Sequence, residues 1–349
     1  MSGRGRADSA AAEGGAPARP GGVGASGAPG GTDVLTFGET MVALRGDGPL
    51  KLGGSMAVSV AGAESNVAIG LARLGHTVRW AGAVGDDEAG ELVLRTLRAE
   101  GVDVSGASRD AGAPTGLLLF EPRLPEVTRV HYYRAGSAGS RLGVAAVERA
   151  FAGGPPPRLL HLTGITPALG ASARAACERA LRLARELGVR ICLDVNFRSR
   201  LWSYEDAGAV LRDWVPYVDV LVASDDELPL CLPADGAPTE LPGQARALLD
   251  LGVREAVVKL GSRGATVYTE SGELHRPARA VRAVDPVGAG DAFAAGYLSA
   301  LLDGAGVAER LERGVTTGAF AVASRGDWEG APTRGELGML EVGDGAVLR

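Results

Sequence analysis

Five apolar runs follow one another from residue 158 onward: RLLHLTG, VRICLDVN, VDVLVAS, EAVVKLG and GATVYT. Helix-length stretches lie between the earlier ones, at 171–187 and 205–215, and another at 240–251 precedes EAVVKLG. Strands alternating with helices of this length give right-handed βαβ units, and near-continuous apolar strands are those covered on both faces. The chain is therefore expected to be an α/β fold, with a mainly parallel central sheet flanked by helices on both faces. Ligands of such sheets sit beyond the carboxyl ends of the strands. Here those ends read Gly38-Glu39, Gly164-Ile165-Thr166, Asp194-Val195-Asn196, Ser224-Asp225-Asp226-Glu227 and Lys259-Leu260-Gly261. Every one is polar or glycine-rich.

The first half is less regular. VLTFGETMVAL (34–44) reads as a buried strand ending at a polar Gly38-Glu39-Thr40. Segment 53–85 gives a short strand, a glycine turn, a helix and another strand. Val67, Leu71 and Leu74 fall on one helical face, and Gly75 ends that helix. DDEAGELVLRTLRAEGV is a second amphipathic helix. TGLLLFEP and TRVHYYR read as two paired strands around a Pro-containing turn. With part of 53–60 they predict a small β-sheet lid, built from about 50–61 and 114–135. The stretch 289–325 is mostly helical. Residues 1–31 contain ten Gly, eight Ala and three Pro, so they cannot bury a core and read as a disordered tail before a domain spanning 32–349.

Composition narrows the partners. A net charge of −6 argues against a broad nucleic-acid surface. No apolar run reaches the roughly 20 residues that cross a bilayer, and a cytoplasmic protein is expected. Three scattered cysteines, Cys177, Cys192 and Cys231, read as reduced thiols, and four scattered histidines show no zinc spacing.

DPVGAGDAFAAGYL (285–298) carries the chemistry. Pro286 and the glycines mark a loop, and Phe293, Tyr297, Leu298, Leu301 and Leu302 share a helical face. Gly288, Ala289 and Gly290 thus lie at a helix N-terminus, where unpaired N–H groups and the helix dipole attract an anion. Asp291 stands in the first turn beside them. A carboxylate there can take a proton from a hydroxyl while the N–H groups hold charge on a transferring phosphoryl group. Asp285 precedes the loop and can orient it or help hold magnesium through water. A tight turn before a core helix is the other reading of GAGD alone.

The segment resembles the second signature of the ribokinase-like (PfkB) sugar kinases, Asp-x-x-Gly-Ala-Gly-Asp. AGAESNVAIGLARLG (61–75) is similar to that family's N-terminal glycine-rich signature, VGDDEAGELVLRTLRAEGV (84–102) to its next segment, and VVKLGSRGA (257–265) to its nucleotide-binding strand and turn. The resemblance spans about 34–335. It implies a ribokinase-like fold, ATP and Mg²⁺ as cofactors, Asp291 as catalytic base, and an anion hole of Gly288, Ala289 and Gly290. It also implies that Lys259, Leu260, Gly261, Ser262, Arg263 and Gly264, with the 288–291 loop, hold the nucleotide. Where the family often has Asn-x-x-Glu near magnesium, this chain has Ser224-Asp225-Asp226-Glu227, which leaves Glu227 as a metal contact through water.

HYYRAGSAGSRL (131–142), GITPAL (164–169), LDVNFRSRLW (193–202) and ASRGDWEGAP (323–332) look like the 2-keto-3-deoxygluconate kinases of that family. By that resemblance Gly62, Asn66, Tyr132, Tyr133, Arg134, Asp291 and Asp327 contact the keto acid, and Arg198 reaches the phosphates. A guanidinium suits the carboxylate of a sugar acid because it can form two hydrogen bonds to it. Leu118 stands where close relatives can have a tyrosine. The expected reaction is ATP-dependent phosphorylation of the 6-hydroxyl of 2-keto-3-deoxy-D-gluconate. The alternatives are fructose, ribose, 2-keto-3-deoxygalactonate or an inositol-derived deoxy-keto-gluconate as substrate, or a non-catalytic sugar sensor on the same fold. Glu39 reads as hydrogen-bonded to nearby backbone, and Trp202 as packing. The lid's apolar face predicts a homodimer or higher homo-oligomer.

Overall fold

A computed structural model describes residues 31–124, 127–234 and 236–341. The expectation of a tail over 1–31 falls, Gly31 apart, outside the described residues. The strands are β1 (Val34–Phe37), β2 (Met41–Gly46), β3 (Met56–Ala61), β4 (Val78–Ala81), β5 (Ala83–Gly85), β6 (Ser108–Asp110), β7 (Leu117–Leu124), β8 (Val127–Tyr133), β9 (Leu159–Thr163), β10 (Arg190–Asp194), β11 (Val220–Ser224), β12 (Glu255–Lys259), β13 (Ala265–Thr269) and β14 (Gly272–Arg276). The helices are α1 (Ala63–Arg73), α2 (Glu88–Ala99), α3 (Val144–Ala152), α4 (Ala171–Glu186), α5 (Tyr204–Trp214), α6 (Leu241–Asp250), α7 (Ala289–Leu302) and α8 (Val307–Val322).

The main sheet has the order β14-β13-β12-β11-β10-β9-β1-β4. From β12 to β4 every neighbouring pair is parallel, while β13 and β14 add an antiparallel edge. Alternation along the strands splits the core in two. Ile191, Leu193, Leu221, Ala223 and Val258 face α3, α4, α5 and α6. Cys192, Val220, Val222 and Val257 face α1, α2, α7 and α8. This is the doubly covered α/β sheet expected from the strand–helix alternation. Trp202 is buried in the first of these two layers, and all three cysteines are buried and free.

A smaller sheet, β3-β2-β7-β8, stands over the carboxyl ends. One difference from the sequence reading matters here. Segment 34–44 is two strands in two sheets, β1 in the main sheet and β2 in the lid. The chain crosses at Gly38-Glu39-Thr40, and Glu39 and Thr40 are buried although polar. Met41, Ala43, Ala61, Leu118 and Phe120 form the lid's own core, so Leu118 is committed to lid packing. The lid also rests on segment 326–331, where Trp328 Nε1 donates to the Val60 carbonyl at 3.0 Å.

Helix boundaries follow local chemistry. Asp87 caps α2 by accepting from Gly90 N at 2.7 Å, and Ser203 caps α5 by accepting from Asp206 N at 3.0 Å. Gly75 ends α1 with φ +87°, a conformation that glycine adopts without strain. Helix α7 is different in kind: every residue from Asp291 to Leu302 is buried. Among the described residues no helix is long and apolar enough to cross a membrane.

Candidate active site

The site lies where the N-termini of α1 and α7 meet the carboxyl ends of β10 to β12 beneath the lid. Gly288 is the residue before α7 and has φ +76°. A Cβ there would also run into the backbone carbonyl of Asp327. Both facts demand glycine, and together they bring segment 326–327 against the loop. Asp285 shapes the same turn, since its Oδ1 accepts from Val287 N at 3.1 Å and its Oδ2 from Gly326 N at 3.4 Å. The first-turn N–H groups of α7 have no acceptor inside the helix, and of them Ala289 N donates back to the Pro286 carbonyl at 3.3 Å.

Asp291 is only 9% exposed. Asn66 Nδ2, from the first turn of α1, donates to its Oδ2 at 2.8 Å. Asn196 Nδ2 approaches its Oδ1 at 3.4 Å. Burial pushes its carboxyl up to about 7, against the lowering effect of the Asn66 hydrogen bond and of Lys259 and Arg198. A carboxyl with this value is split between its two forms near neutral pH, as a general base needs to be.

Lys259 ends β12 and Asp194 ends β10, with β11 between them. Lys259 Nζ donates to both oxygens of Asp194, at 2.9 and 3.0 Å. Burial alone would lower the ammonium's pKa, but Asp194, Glu227 and Asp291 outweigh it and raise it. A Cβ on Gly290 would lie 3.5 Å from that Nζ, so the ammonium stands beside the start of α7. The next turn, Gly261–Arg263, depends on two left-handed glycines, Gly261 at φ +59° and Gly264 at φ +96°. Leu260 N donates to the Gly264 carbonyl at 2.8 Å. Ser262 and Arg263 are exposed, and Arg263 pairs with Asp225 at 2.5 Å.

At the lid end, Arg134 donates from Nε to Glu39 Oε2 at 2.7 Å, and its Nη2 lies 2.5 Å from the same oxygen. Ser137 Oγ also donates to Glu39. The guanidinium lies 5.8 Å from the Tyr132 ring centroid. Tyr132 and Tyr133 are both exposed. Gly62 has extended backbone, and a Cβ there would lie 2.5 Å from the Glu39 carbonyl. Its lack of a side chain lets α1 start directly against the crossing between the two sheets.

The residues singled out from sequence therefore fall into three groups. Asn66, Asp291, Gly290 and Lys259 form one continuous cluster. Gly288, with Ala289 behind it, and Asp327 form a second contact. Gly62 and Arg134 meet at Glu39. Arg198 is exposed, with its Nη1 donating to the Phe197 carbonyl at 3.0 Å, and its charge reaches Asp291. Glu227 is held by backbone, accepting from Phe197 N at 2.7 Å and Ser224 N at 2.9 Å.

Sequence reasoning did not assign Asp194, Asn196 or Arg45. Asn196 is the one non-glycine residue with positive φ, +40°, among those described. The available signal for Asp194 was a lysine and an aspartate at the ends of next-but-one parallel strands. Glu39, expected to bond backbone, instead takes the side chains of Arg134 and Ser137, just after β8.

Comparison with known proteins gives the family. The model of the pfkB family of carbohydrate kinases matches residues 31–334. The 2-dehydro-3-deoxygluconokinase of Bacillus subtilis (strain 168) is 38% identical over 314 residues, 87% of this chain and 94% of that one. The 2-dehydro-3-deoxygalactonokinase of Haloferax volcanii is 34% identical over 307 residues, 84% of this chain and 92% of that one. An E. coli protein described as a ribokinase II, solved with ATP and Mg²⁺, superposes with a TM-score of 0.80 at 23% identity, over 89% of this chain and 99% of that one. That last likeness speaks for the ribokinase-like fold. A family match across nearly the whole described chain, on a site built from a buried carboxylate and a glycine-bounded helix N-terminus, makes this chain a member of the pfkB carbohydrate kinases, an ATP-dependent phosphotransferase with an alcohol group as acceptor.

Proposed function

We propose that the chain phosphorylates the 6-hydroxyl of 2-keto-3-deoxy-D-gluconate. The observation that carries the catalytic part is the setting of Asp291, buried, bonded to Asn66 and placed in the first turn of α7. Asp291 in its ionised form takes the proton of the acceptor hydroxyl as that oxygen bonds to the γ-phosphorus and the bond to ADP breaks. The proton ends on Asp291. The N–H groups of Gly288, Ala289 and Gly290 and the ammonium of Lys259 stabilise negative charge on the transferring group. The turn from Leu260 to Gly264 takes the nucleotide, and Arg198 swings from solvent to its phosphates.

Mg²⁺ neutralises phosphate charge when bound with the nucleotide. Among the described residues no group of three or more acidic, histidine or cysteine side chains forms a cage. That fits an ion carried mainly by phosphates and water with one or two carboxylates. Glu227, whose oxygens each accept a single described N–H, is the residue to hold it through water.

The sugar acid is supported by the 38% identity to the Bacillus subtilis kinase and by Arg134. With Nε and Nη2 on Glu39, its Nη1 edge is left to grip a carboxylate, beside Tyr132 and Tyr133. Gly62, Asn66 and Asp327 complete the pocket. The 34% identity to the Haloferax volcanii kinase keeps 2-keto-3-deoxygalactonate as the second reading. Residues from 32 onward form the kinase domain, acting in the cytoplasm. Exposed Val58, Val127, Tyr132 and Tyr133 on the lid suit burial against a second copy.

A coupled ADP-release assay over both keto-deoxy acids, 5-keto-2-deoxygluconate, fructose and ribose tests the reading. The expected result is the highest kcat/KM on 2-keto-3-deoxygluconate. Equal turnover of fructose overturns it, and no turnover of any sugar favours a sensor.

A further inference from the structure

Arg45 belongs to the lid, on β2 between β3 and β7, yet its charge is spent elsewhere. Its guanidinium lies 3.8 Å from the ring centroid of Phe120, its register partner on β7. Nη1 donates to Asp285 Oδ2 at 3.2 Å, and Nη2 donates to Asp327 Oδ2. The side chain is 10% exposed. Its Nε is buried with no partner, so the two carboxylates are its polar contacts.

Those two aspartates bracket the glycine loop. Asp285 holds Val287 N and Gly326 N, and the backbone carbonyl of Asp327 packs where a Cβ of Gly288 would be. Two carboxylates this close, with little access to water, repel each other unless a cation lies between them. A planar guanidinium satisfies both at once, which a single ammonium on a flexible stem does poorly.

We infer that Arg45 is a positioning residue: by bridging Asp285 and Asp327 it couples the seating of the lid to the shape of the 285–290 loop. The inference rests on reading that loop as the anion hole. A loop misplaced by about 1 Å costs up to ~100-fold in rate without a matching loss of binding. The lid thus acts as more than a cover over the sugar, since its middle strand carries the counter-charge that the loop requires.

The test replaces Arg45 with Met, which keeps the stem packed on Phe120, and with Lys, which keeps the charge. Two readouts are taken on the full chain: kcat and KM on the best sugar of the panel, and hydrogen exchange of peptides covering 285–290 and 190–224. For Arg45→Met, kcat is expected to fall at least ~10-fold with the sugar KM within ~3-fold. Exchange should speed up at 285–290 and stay unchanged at 190–224. Retained kcat, or a loss confined to KM with unchanged exchange, overturns the inference. If the Met variant unfolds, Arg45→Lys decides: wild-type kcat and exchange overturn it, and a lower kcat with faster exchange at 285–290 supports it. If Asp291→Asn leaves turnover intact, the reading of Asp291 as base falls, while the exchange data still report on the bridge.

Discussion

Asn66 Nδ2 donates to Asp291 Oδ2 at 2.8 Å, joining the first turns of α1 and α7 across 225 residues of sequence. An amide N–H stabilises the ionised carboxylate more than the protonated one. It therefore opposes the burial that pushes Asp291 up to about 7. kcat/KM should rise with pH and level off above about 7. In Asn66→Ala the rising limb should move to higher pH, as a pH–rate profile on both proteins would reveal. An unmoved limb would separate the titrating group from Asp291.

Asp291→Asn should lower kcat by about 10²- to 10⁴-fold, the usual range for loss of a general base. Its effect on stability has a definite sign. The folded value near 7 lies above the ordinary aspartate value of 3.8, so the native state binds more protons between them. Stability from this group is full below the unfolded value and is lost as pH climbs to about 7. The Asn variant should gain in Tm over wild type at about pH 8 and not at about pH 4. Thermal melts at the two pH values check this.

Gly288→Ala combines a strained φ of +76° with a collision against the Asp327 carbonyl. A cost of about 1–3 kcal/mol in stability is expected from the backbone alone, with kcat falling further than the melt indicates. Gly261→Ala is the comparison, because its φ is +59° but open space surrounds it. It should lose stability with a smaller loss of turnover. Urea unfolding and steady-state rates on both variants separate strain from collision.

Lys259→Met should be among the costliest single changes at the site. It leaves the Asp194 carboxylate, whose side chain is 1% exposed, without its cation. Breaking a buried pair by removing one partner costs about 3–5 kcal/mol. Adding Asp194→Asn should recover much of that stability and none of the rate. A double-mutant cycle in urea and in turnover would show the two quantities diverging.

The strand–helix order and the glycine-rich loop were legible because each is written locally. Apolar runs of strand length, amphipathic spacing and glycines before a helix depend on neighbours a few residues away. The division of 34–44 between two sheets was not legible. The run stays apolar on both sides of Gly38-Glu39-Thr40, and nothing local says that Glu39 is buried to receive Arg134 and Ser137. Helix α3 was missed too, its nine residues lying between turns. Asp291 was found from its turn, whereas Asp194 and Asn196 were only noticed as polar strand ends. Arg45 gave no signal because its partners lie 240 and 282 residues downstream.

Helix α7 carries Asp291 near one end and is buried from there to Leu302, packed against α1 and α8. A surface loop bearing the same aspartate could melt on its own while the rest of the molecule stayed intact. Here the helix has no such independence. A Cβ at Gly296, five residues along the helix from Asp291, would strike Thr317 and the Arg313 carbonyl, so even that distant change shifts the aspartate with the helix. Heat should then abolish turnover and melt the protein in a single event, with no interval in which an inactive but folded enzyme accumulates.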